Sequence, residues 1–267
     1  METMRLDQLV AQLFSMEQQQ AAALIMAGRV RVNALPADKP GMPVASDAQI
    51  TVLEKARKYA SRSGYKLEKA LRVFGVDVTD QTVCDIGASN GGFTDCLLVN
   101  GAAHVFAVDV AYGILAWELR NDERVTVMER TNARKLTQQM LGTAVDTVTA
   151  DVSFISLKKI FPAVNDILKQ DGRCICLIKP QFEAPPKLLG KNGVLRDTAD
   201  LPPLLSELCN AAAQHSLHLQ NMTVSPIHGT NGNVEYLAHF ARTPAQDAAH
   251  IEECISRAVS EKPDDRE

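Results

Sequence analysis

The segment Asp85-Ile-Gly-Ala-Ser-Asn-Gly-Gly92 decides the fold, because here a glycine-rich loop joins a short apolar strand to a helix. We predict the strand over residues 82–87 and the helix over residues 94–100. Continuous apolar runs that alternate with helices are typical of a parallel sheet covered on both faces. Helical stretches separate four further apolar strands, which are predicted at residues 104–109, 125–128, 146–151 and 173–179.

The last part of the predicted sheet follows a different pattern. Residues 223–227 and 235–240 are two apolar segments, and a loop rich in Gly and Asn joins them. This pattern predicts an antiparallel hairpin. A parallel sheet that finishes in an antiparallel pair is the plan of methyltransferases that use S-adenosylmethionine (SAM). The predicted fold class is therefore α/β, with a Rossmann-like methyltransferase sheet that ends in an antiparallel hairpin.

The first 58 residues form a smaller α+β pattern of their own. Apolar residues at helical spacing from Leu6 to Phe14 predict one short helix, and residues 21–27 predict a second. Residues 29–33 and 50–53 alternate between polar and apolar side chains, as half-buried strands do. A segment of this size buries little core, so it is an appendage or a binding module. The predicted domains are a small domain at 1–58, a methyltransferase domain at 59–243 and a polar C-terminal tail at 244–267.

The composition of the 267-residue chain excludes several classes of protein. No apolar run approaches the ~18 residues that cross a bilayer, and charged residues interrupt the start of the chain, so we predict neither a membrane span nor a secretory leader. The six cysteines contain no C-x-x-C pair, which argues against a disulfide scaffold and against a zinc site. Buried thiols are typical of a reducing compartment, so we predict a cytoplasmic protein without a metal.

The charge of the chain is unevenly distributed. The formal net charge is −4, but residues 55–72 hold seven basic residues and one acidic residue, a local charge of +6. We call this segment the basic stripe. Such a stripe can bind the phosphates of a nucleic acid while the rest of the surface keeps the protein soluble. A solvated helix face would show the same charges, and the charge pattern does not distinguish the two.

Three kinds of site place a glycine-rich loop between a strand and a helix. A dinucleotide fingerprint needs G-x-G-x-x-G, and the spacing fails because Ser89 stands in place of the second glycine. The nucleophile elbow of hydrolases, G-x-S-x-G, matches residues 87–91, and Asp151 and His228 would complete a triad in the right order. However, only one strand precedes this elbow, and no HGGG-like segment lies upstream.

A SAM site is the third alternative. SAM carries no phosphate, so its loop needs a close approach of the backbone instead of an anion nest. Asp85, at the end of the first strand, could hold the ammonium of SAM, and Asp109, at the end of the second, could accept its ribose hydroxyls. Asn132, just past the third strand, is placed where an amide could read adenine. Each of these residues alone could equally be a solvated loop residue, but the two acids together with the hairpin favour the methyltransferase.

Lys179 is the most informative single residue. It ends a buried apolar strand and is followed by Pro180, which blocks extension of the strand. The carboxyl ends of the strands are where open α/β sheets bind their ligands. A cation at such a place needs an anionic partner, and Asp151, at the end of the preceding strand, can supply it. Such a pair could be functional or purely structural.

Eight segments carry a resemblance to a known family. They are residues 61–67 (SRSGYKL), 85–95 (DIGASNGGFTD), 108–117 (VDVAYGILAW), 129–132 (ERTN), 150–156 (ADVSFIS), 178–184 (IKPQFEA), 193–197 (GVLRD) and 225–235 (SPI and GNVE at its ends). In this order they resemble the TlyA, or hemolysin A, family of ribosomal RNA 2′-O-methyltransferases, which is related to the FtsJ group. The resemblance runs from about residue 4 to residue 240.

This resemblance implies a reaction and a set of site residues. The reaction is methyl transfer from SAM to a ribose 2′-hydroxyl, expected on a cytidine of large-subunit ribosomal RNA, with small-subunit RNA as a further candidate. The implied catalytic tetrad is Lys66, Asp151, Lys179 and Glu235. The residues expected to bind SAM are Asp85, Gly87, Ser89, Gly91, Gly92, Phe93, Asp109, Asn132 and Asp151.

The N-terminal segment resembles the S-four-type RNA-binding domain. In that family the second helix usually begins with a Ser-Arg-like pair, whereas this chain has Met16-Glu-Gln-Gln-Gln20, without a basic residue. The basic stripe is therefore expected to contribute more of the RNA affinity. The expected RNA-binding residues are Arg5, Arg29, Arg31, Lys55, Arg57, Lys58 and Arg62, and the expected partners are ribosomal RNA or ribosomal subunits, with no membrane.

Two other functions remain as alternatives. The name hemolysin suggests a membrane-active protein, but no basic amphipathic helix with a large apolar face supports it. The other alternative is an RNA-binding ribosome-assembly factor that does not catalyse a reaction.

Overall fold

The structure is a computed structural model that describes residues 3–53, 58–191, 193–229, 232–243 and 248–263. The chain divides into two compact units, Met1–Lys58 and Tyr59–Glu267.

The first unit is a small α+β domain built around two short helices. Strand β2 lies between β3 and β5, and β1 pairs with β4, all in antiparallel fashion. Leu6, Leu9 and Ile25 are buried in its core, whereas Leu13 and Phe14 at the end of the first helix are exposed. The elements are β1 (Thr3–Arg5), α1 (Leu6–Leu13), α2 (Gln18–Met26), β2 (Val30–Val32), β3 (Leu35–Ala37), β4 (Pro43–Ala45) and β5 (Ile50–Val52).

The second unit contains a seven-stranded sheet in the order β11-β12-β10-β9-β6-β7-β8. Strands β6 to β10 are parallel, and β12 is antiparallel to both of its neighbours. The predicted α/β fold class, with its terminal antiparallel hairpin, is confirmed. The strands are β6 (Thr82–Ile86), β7 (His104–Val108), β8 (Val125–Met128), β9 (Val145–Ala150), β10 (Leu168–Ile178), β11 (His218–Val224) and β12 (Tyr236–Ala241).

Helices cover both faces of this sheet, as the apolar strands predict. Along β10, Cys174 and Cys176 belong to one hydrophobic cluster, while Ile175 and Leu177 belong to the cluster on the opposite face. A strand that is buried on both sides needs such a continuous apolar run. The helices are α3 (Ser63–Phe74), α4 (Gly92–Val99), α5 (Trp117–Arg120), α6 (Gln138–Leu141), α7 (Phe161–Ile167), α8 (Pro180–Glu183), α9 (Leu201–Ala213) and α10 (Ala248–Ser260).

The C-terminal segment differs from the expected polar tail. Residues 248–260 form the helix α10, and Cys254, Ile255 and Ala258 pack into the larger hydrophobic cluster. The carboxylate of Glu261, just after this helix, accepts hydrogen bonds from the Thr223 hydroxyl and from the Val224 N–H of β11. These few apolar residues lie at helical spacing within a segment of mostly polar and charged composition, and composition alone therefore conceals the packed face.

The order in which strands are added to the sheet reverses at β6 and β9. The chain runs outward from β6 to β7 and β8, and then returns to build β9 and β10 on the other side of β6. In open α/β sheets, ligands bind beside such a reversal, at the carboxyl ends of the strands. The fold therefore places a site at the ends of β6, β7 and β9. No helix in the described part of the chain is long and apolar enough to span a membrane.

Candidate functional site

A cleft of about 420 Å³ opens at the carboxyl ends of β6, β7 and β9. Five of the residues expected to bind SAM line it: Gly87, Ser89, Asp109, Asn132 and Asp151. The loops that follow four different strands, β6, β7, β8 and β9, therefore contribute to one site. Its remaining lining includes apolar side chains and the polar residues Thr131, Arg134 and Ser153.

The glycine loop approaches its neighbours more closely than a side chain would allow. Gly87 has a φ of +86°, and a Cβ there would lie 2.3 Å from the backbone oxygen of Asp151. Gly91 has a φ of +94°, and a Cβ there would lie 2.1 Å from Cδ1 of Leu119. Both positions need glycine for conformation and for space. Glycine at these two positions therefore lets the loop pack closely against the segment that follows β9 and against α5.

Asp109 ties this glycine loop to the loop after β7. Its Oδ2 accepts a hydrogen bond from the N–H of Ser89 at 2.8 Å, and its Oδ1 accepts one from the N–H of Ala111 at 2.8 Å. Each carboxylate oxygen has about two acceptor sites, so both oxygens can accept a further hydroxyl. Asn132 caps the short helical turn Ala133–Lys135, since its Oδ1 accepts from the N–H of Arg134 at 3.0 Å.

Asp85 is placed differently from its expected role. Its side chain is fully buried, and it accepts hydrogen bonds from the hydroxyls of Thr94 at 2.7 Å and Thr149 at 2.9 Å. Burial disfavours the charged form and raises the pKa of Asp85 to about 6. Asp85 is absent from the described lining of the cleft. Its two hydrogen bonds connect β6 to α4 and β9.

Three further residues expected at the cofactor also lie outside the described lining of the cleft. Phe93 is 2% exposed and packs into the hydrophobic cluster with Leu97. A Cβ on Gly92 would lie 2.0 Å from the hydroxyl of Ser63, so this glycine lets α4 pack against the start of α3. Gly91 contacts leucines, as described above. Some residues of the glycine-rich segment therefore line the cleft, and the others determine the shape of the loop.

Lys179 and Asp151 form the ion pair that the sequence predicts. The Nζ atom of Lys179 lies 2.7 Å from Oδ1 of Asp151, and it donates a further hydrogen bond to the Ser153 hydroxyl at 2.9 Å. The side chain of Lys179 is 11% exposed and that of Asp151 is 17% exposed. Asp151 is therefore held by a cation, which does not fit the triad acid of a hydrolase.

Lys66 and Glu235 form a second ion pair, with 2.5 Å between Nζ and Oε2. Lys66 comes from α3, and Glu235 precedes β12 and is 3% exposed. A Cβ on Gly229 would lie 2.2 Å from Oε1 of Glu235, so the loop before β12 closes directly over this carboxylate. The sequence offered no signal for this pair beyond the family resemblance, because 169 residues separate its two members.

The register of the sheet brings members of both pairs to one edge. Ala150 of β9 is paired with Cys176 of β10, and Ile178 of β10 is paired with Tyr236 of β12. One step beyond the last antiparallel pair, Lys179 lies opposite Glu235. Asp151 likewise follows the last residue of β9. Two lysines and two carboxylates therefore converge at the carboxyl ends of the central strands.

Sequence reasoning missed some residues that line the cleft. Ser153 contacts Lys179, and the aromatic ring of Phe154 is 91% exposed and lies 5.2 Å from the ring of Phe182. Phe154 also has a φ of +63°, which is unusual for a bulky residue. Their position could have indicated them, because Ser153 and Phe154 follow Asp151 closely within the ADVSFIS motif.

The arginines of the first unit that were expected to bind RNA are partly engaged within it. Arg5 forms a two-pronged pair with Asp7, at 3.0 and 2.6 Å. Arg29 donates to the carbonyl of Leu53 at 3.1 Å. Arg31 is exposed and donates to a backbone carbonyl.

Within the basic stripe, Lys58 and Arg62 are exposed. Lys55 and Arg57 lie outside the described residues.

The sheet order, the reversal beside β6 and the cleft define the class of protein as a Rossmann-like methyltransferase. Residues 59–242 match the FtsJ-like methyltransferase family, and residues 4–50 match the S4 domain. The chain therefore belongs to the FtsJ-like methyltransferases. Since it is 43% identical to a TlyA methyltransferase over nearly its whole length, it belongs among them to the TlyA proteins.

Individual relatives support this membership over nearly the whole chain. It is 43% identical to the 16S/23S rRNA (cytidine-2′-O)-methyltransferase TlyA of Mycobacterium tuberculosis, over 96% of this chain and 97% of the relative. It is 40% identical to Hemolysin A of Brachyspira hyodysenteriae, over 89% of this chain and 99% of the relative. The structure of a protein described as a candidate hemolysin from Streptococcus thermophilus superposes with a TM-score of 0.71, at 38% identity, covering 97% of this chain and 96% of that one.

Proposed function

We propose that this chain transfers the methyl group of SAM to the ribose 2′-hydroxyl of a cytidine in ribosomal RNA. The observation that carries the proposal is that the register of β9, β10 and β12 brings the Lys179–Asp151 and Lys66–Glu235 pairs to the same end of the sheet, where Asp151 lines the cleft. The relative from M. tuberculosis has this activity in its name, on both 16S and 23S RNA. The same two ribosomal RNAs are the substrates that we propose here.

The cleft fits SAM by the chemistry of its lining. SAM supplies a methyl group on a positively charged sulfur, which is the electrophile of the reaction. Gly87 and Ser89 line the cleft, and Gly87 places no side chain between its backbone and a ligand. Asp109 keeps acceptor sites on both oxygens for a pair of ribose hydroxyls. Asn132 offers its amide for the adenine.

Lys179 is the residue that we propose contacts the 2′-hydroxyl. A ribose hydroxyl is a weak nucleophile, so its attack depends on alignment and on stabilisation of the negative charge that develops on oxygen. The ammonium of Lys179, held by Asp151, supplies a positioned hydrogen-bond donor with a positive charge. Lys66, held by Glu235, supplies a second cation at the same edge of the sheet. Each carboxylate fixes one lysine and offsets its charge.

The RNA partner is supported by the first unit and by the surface near the cleft. Residues 4–50 match the S4 domain. The exposed ring of Phe154 in the lining of the cleft offers a face on which an unpaired base can stack. The exposed Lys58 and Arg62 of the basic stripe can contact phosphates. Ribosomal subunits are the proposed form of the substrate and the cytoplasm is the proposed compartment.

Methylation by a Lys179→Ala variant tests the chemical role. We expect the rate of methyl transfer to fall by at least ~100-fold, the scale for losing a positioned acid–base or oxyanion-stabilising group. The affinities for SAM and RNA should change by no more than a few-fold. Lys179→Arg should rescue poorly, because a planar guanidinium does not replace a point charge. Single-turnover rates are measured beside a melting curve, since removal of Lys179 leaves Asp151 without its cation.

Lys169→Ala is the matched control for this experiment. Lys169 lies near the start of the same strand and pairs with Asp146 at 2.7 Å, so the control removes an equivalent ion pair away from the cleft. Its methylation rate should equal that of the unmodified protein. A folded Lys179→Ala protein that methylates at the normal rate would contradict the assignment of the tetrad.

The substrate is tested by mapping 2′-O-methyl groups on ribosomal RNA from cells that lack this protein. The loss of a methylated cytidine, restored by the normal gene and not by one encoding Lys179→Ala, is the expected result. An unchanged methylation map, together with no binding of SAM in a titration, would support an RNA-binding assembly factor instead.

A further inference from the structure

Ser153 is a second partner of the Lys179 ammonium, and it is not a member of the tetrad. The Ser153 hydroxyl accepts a hydrogen bond from Nζ of Lys179 at 2.9 Å, while Asp151 lies 2.7 Å from the same nitrogen. An ammonium has three N–H donors. Lys179 donates one of them to Ser153, while Asp151 makes an ion-pair contact without hydrogen-bond geometry, so donors remain for a substrate.

Two acceptors restrain this ammonium more than one could. A lysine side chain is a flexible four-carbon stem with a rotating group of donors, so one carboxylate fixes the distance of the nitrogen and leaves its rotation free. Asp151 and Ser153 are two residues apart on one loop, and they contact the same nitrogen from that loop. The ion pair holds the nitrogen in place, and the hydrogen bond to Ser153 restrains the direction of its other N–H groups.

The location of Ser153 connects this restraint to the reaction. Ser153 lines the cleft together with Asp151, and it is exposed. A hydroxyl at an exposed position adds little to the stability of the fold. A serine that was merely solvated would not contact Lys179, because the Lys179 side chain is only 11% exposed.

We propose that Ser153 is a positioning residue for methyl transfer, and that its hydroxyl orients the Lys179 ammonium toward the 2′-hydroxyl of the substrate. The inference rests on the proposed function. It adds a residue that acts through Lys179 and leaves the tetrad and the substrate unchanged. Ser153 is expected to affect the rate of the chemical step and not the binding of SAM or RNA.

The test compares Ser153→Ala with Ser153→Thr in single-turnover methylation of ribosomal RNA. In Ser153→Ala we expect the rate at saturating SAM and RNA to fall roughly 10- to 100-fold, the loss that corresponds to one hydrogen bond to a charged group. The concentrations of SAM and RNA that give half the maximal rate should remain unchanged, because the lost contact acts in the transition state. Ser153→Thr keeps a hydroxyl and should recover most of the rate.

Ser256→Ala serves as the control, because Ser256 is an exposed serine on α10 and outside the lining of the cleft. A Ser153→Ala rate within two-fold of the normal rate would overturn the inference. So would a Thr variant that is as slow as the Ala variant while both melt normally, or a loss that appears only as weaker binding. Failure of the proposed function would look different, because the unmodified protein itself would then not methylate ribosomal RNA.

Discussion

At the scale of single residues, two aspartates at the ends of neighbouring strands have opposite surroundings. Asp109 lines the cleft, and backbone N–H groups orient its carboxylate. Asp85 is fully buried, and two threonine hydroxyls satisfy it. Asp85 lies within β6, opposite Ala107, whereas Asp109 follows the last residue of β7, and this difference leaves one carboxylate buried in the scaffold and the other beside the cleft.

Asp109→Ala should weaken the binding of SAM. The variant removes a charge-assisted hydrogen bond to the ligand, which is worth about 1.5–3 kcal/mol. Isothermal titration with SAM measures the effect. Asp122→Ala is the control, because it removes an aspartate that pairs with Arg124 at 2.7 Å and lies outside the lining of the cleft. Unchanged affinity in an Asp109→Ala protein that melts normally would remove Asp109 from the site.

Asp85 makes the stability of the fold depend on pH. Its pKa is about 6 in the folded protein, against about 3.9 in an unfolded chain. Between these values the folded state binds more protons than the unfolded state, so this residue makes the free energy of unfolding decrease as the pH rises from about 4 to about 6. Asp85→Asn removes the titrating group and should reduce this decrease.

Denaturant unfolding of both proteins at a series of pH values measures the difference. Other carboxyl groups titrate in the same range, and the comparison of the two proteins cancels their contribution. Parallel curves for the two proteins would show that Asp85 does not titrate as its burial implies. Thr94→Val keeps Asp85 but removes a hydrogen-bond donor that lowers its pKa, so the decrease in stability should continue to a higher pH.

At the scale of secondary-structure elements, the loop between β11 and β12 is a support for one carboxylate. The N–H of Ser225 donates to the carbonyl of Glu235 at 2.8 Å, and the N–H of Gly229 donates to the carbonyl of Asn233 at 2.8 Å. These bonds close the base of the loop. Glu235 is therefore held between Gly229 and Lys66.

Gly229→Ala should separate Glu235 from Lys66. The added methyl group would lie 2.2 Å from Oε1, and the flexible carboxylate would move before the backbone does. We expect methylation to fall on the order of 100-fold, as for a small misplacement of reacting groups, while SAM affinity stays constant. Single-turnover rates measure this loss.

Gly190→Ala is the matched substitution, because the nearest atom to its Cβ would be 3.4 Å away. It should leave the rate unchanged. Normal methylation by Gly229→Ala would show that the loop does not set the position of Glu235.

The sequence predicts the parallel strands of the second unit well, but it predicts α10, the bounds of β11 and the side-chain environments poorly. Strand ends are predictable because buried apolar runs stop at Asp109, Asp151 and Lys179, where a polar side chain needs a partner or a ligand. Whether a given side chain near a strand end faces the cleft or the core cannot be predicted from the sequence in this way. Phe93 and Asp85 turn inward because of their neighbours in α4 and β9, and no local pattern records those neighbours.

At the scale of the whole molecule, the distribution of charge matters more for RNA affinity than the net charge does. The chain has a net charge of −4, so its affinity for RNA depends on local basic surfaces such as the basic stripe at residues 55–72. The first unit adds exposed arginines, although Arg5 is largely satisfied by Asp7. We therefore expect the basic stripe to supply much of the electrostatic affinity.

Replacing Lys55, Arg57 and Lys58 with Gln should lower RNA affinity and flatten its dependence on salt. Each lost phosphate contact removes about 0.7–0.9 from the slope of log affinity against log salt concentration. Filter binding at several salt concentrations measures the slope, and SAM affinity should not change. Replacing Lys158, Lys159 and Lys169 removes the same charge elsewhere and should have a smaller effect. Identical slopes in the normal and stripe-substituted proteins would show a solvated helix face.

The helix α10 also covers the outer strand of the sheet. Strand β11 is the outermost strand on its side of the sheet, and α10 lies along it, with His250 bonded to the carbonyl of Gln220 at 3.0 Å and Arg257 to Asn221 at 2.6 Å. An uncovered outer strand is a template on which another chain can add a strand. Since α10 is the last of the described elements to be translated, the nascent chain exposes the outer edge of β11 until α10 has been made. We expect variants that loosen α10 to aggregate before they lose the cleft.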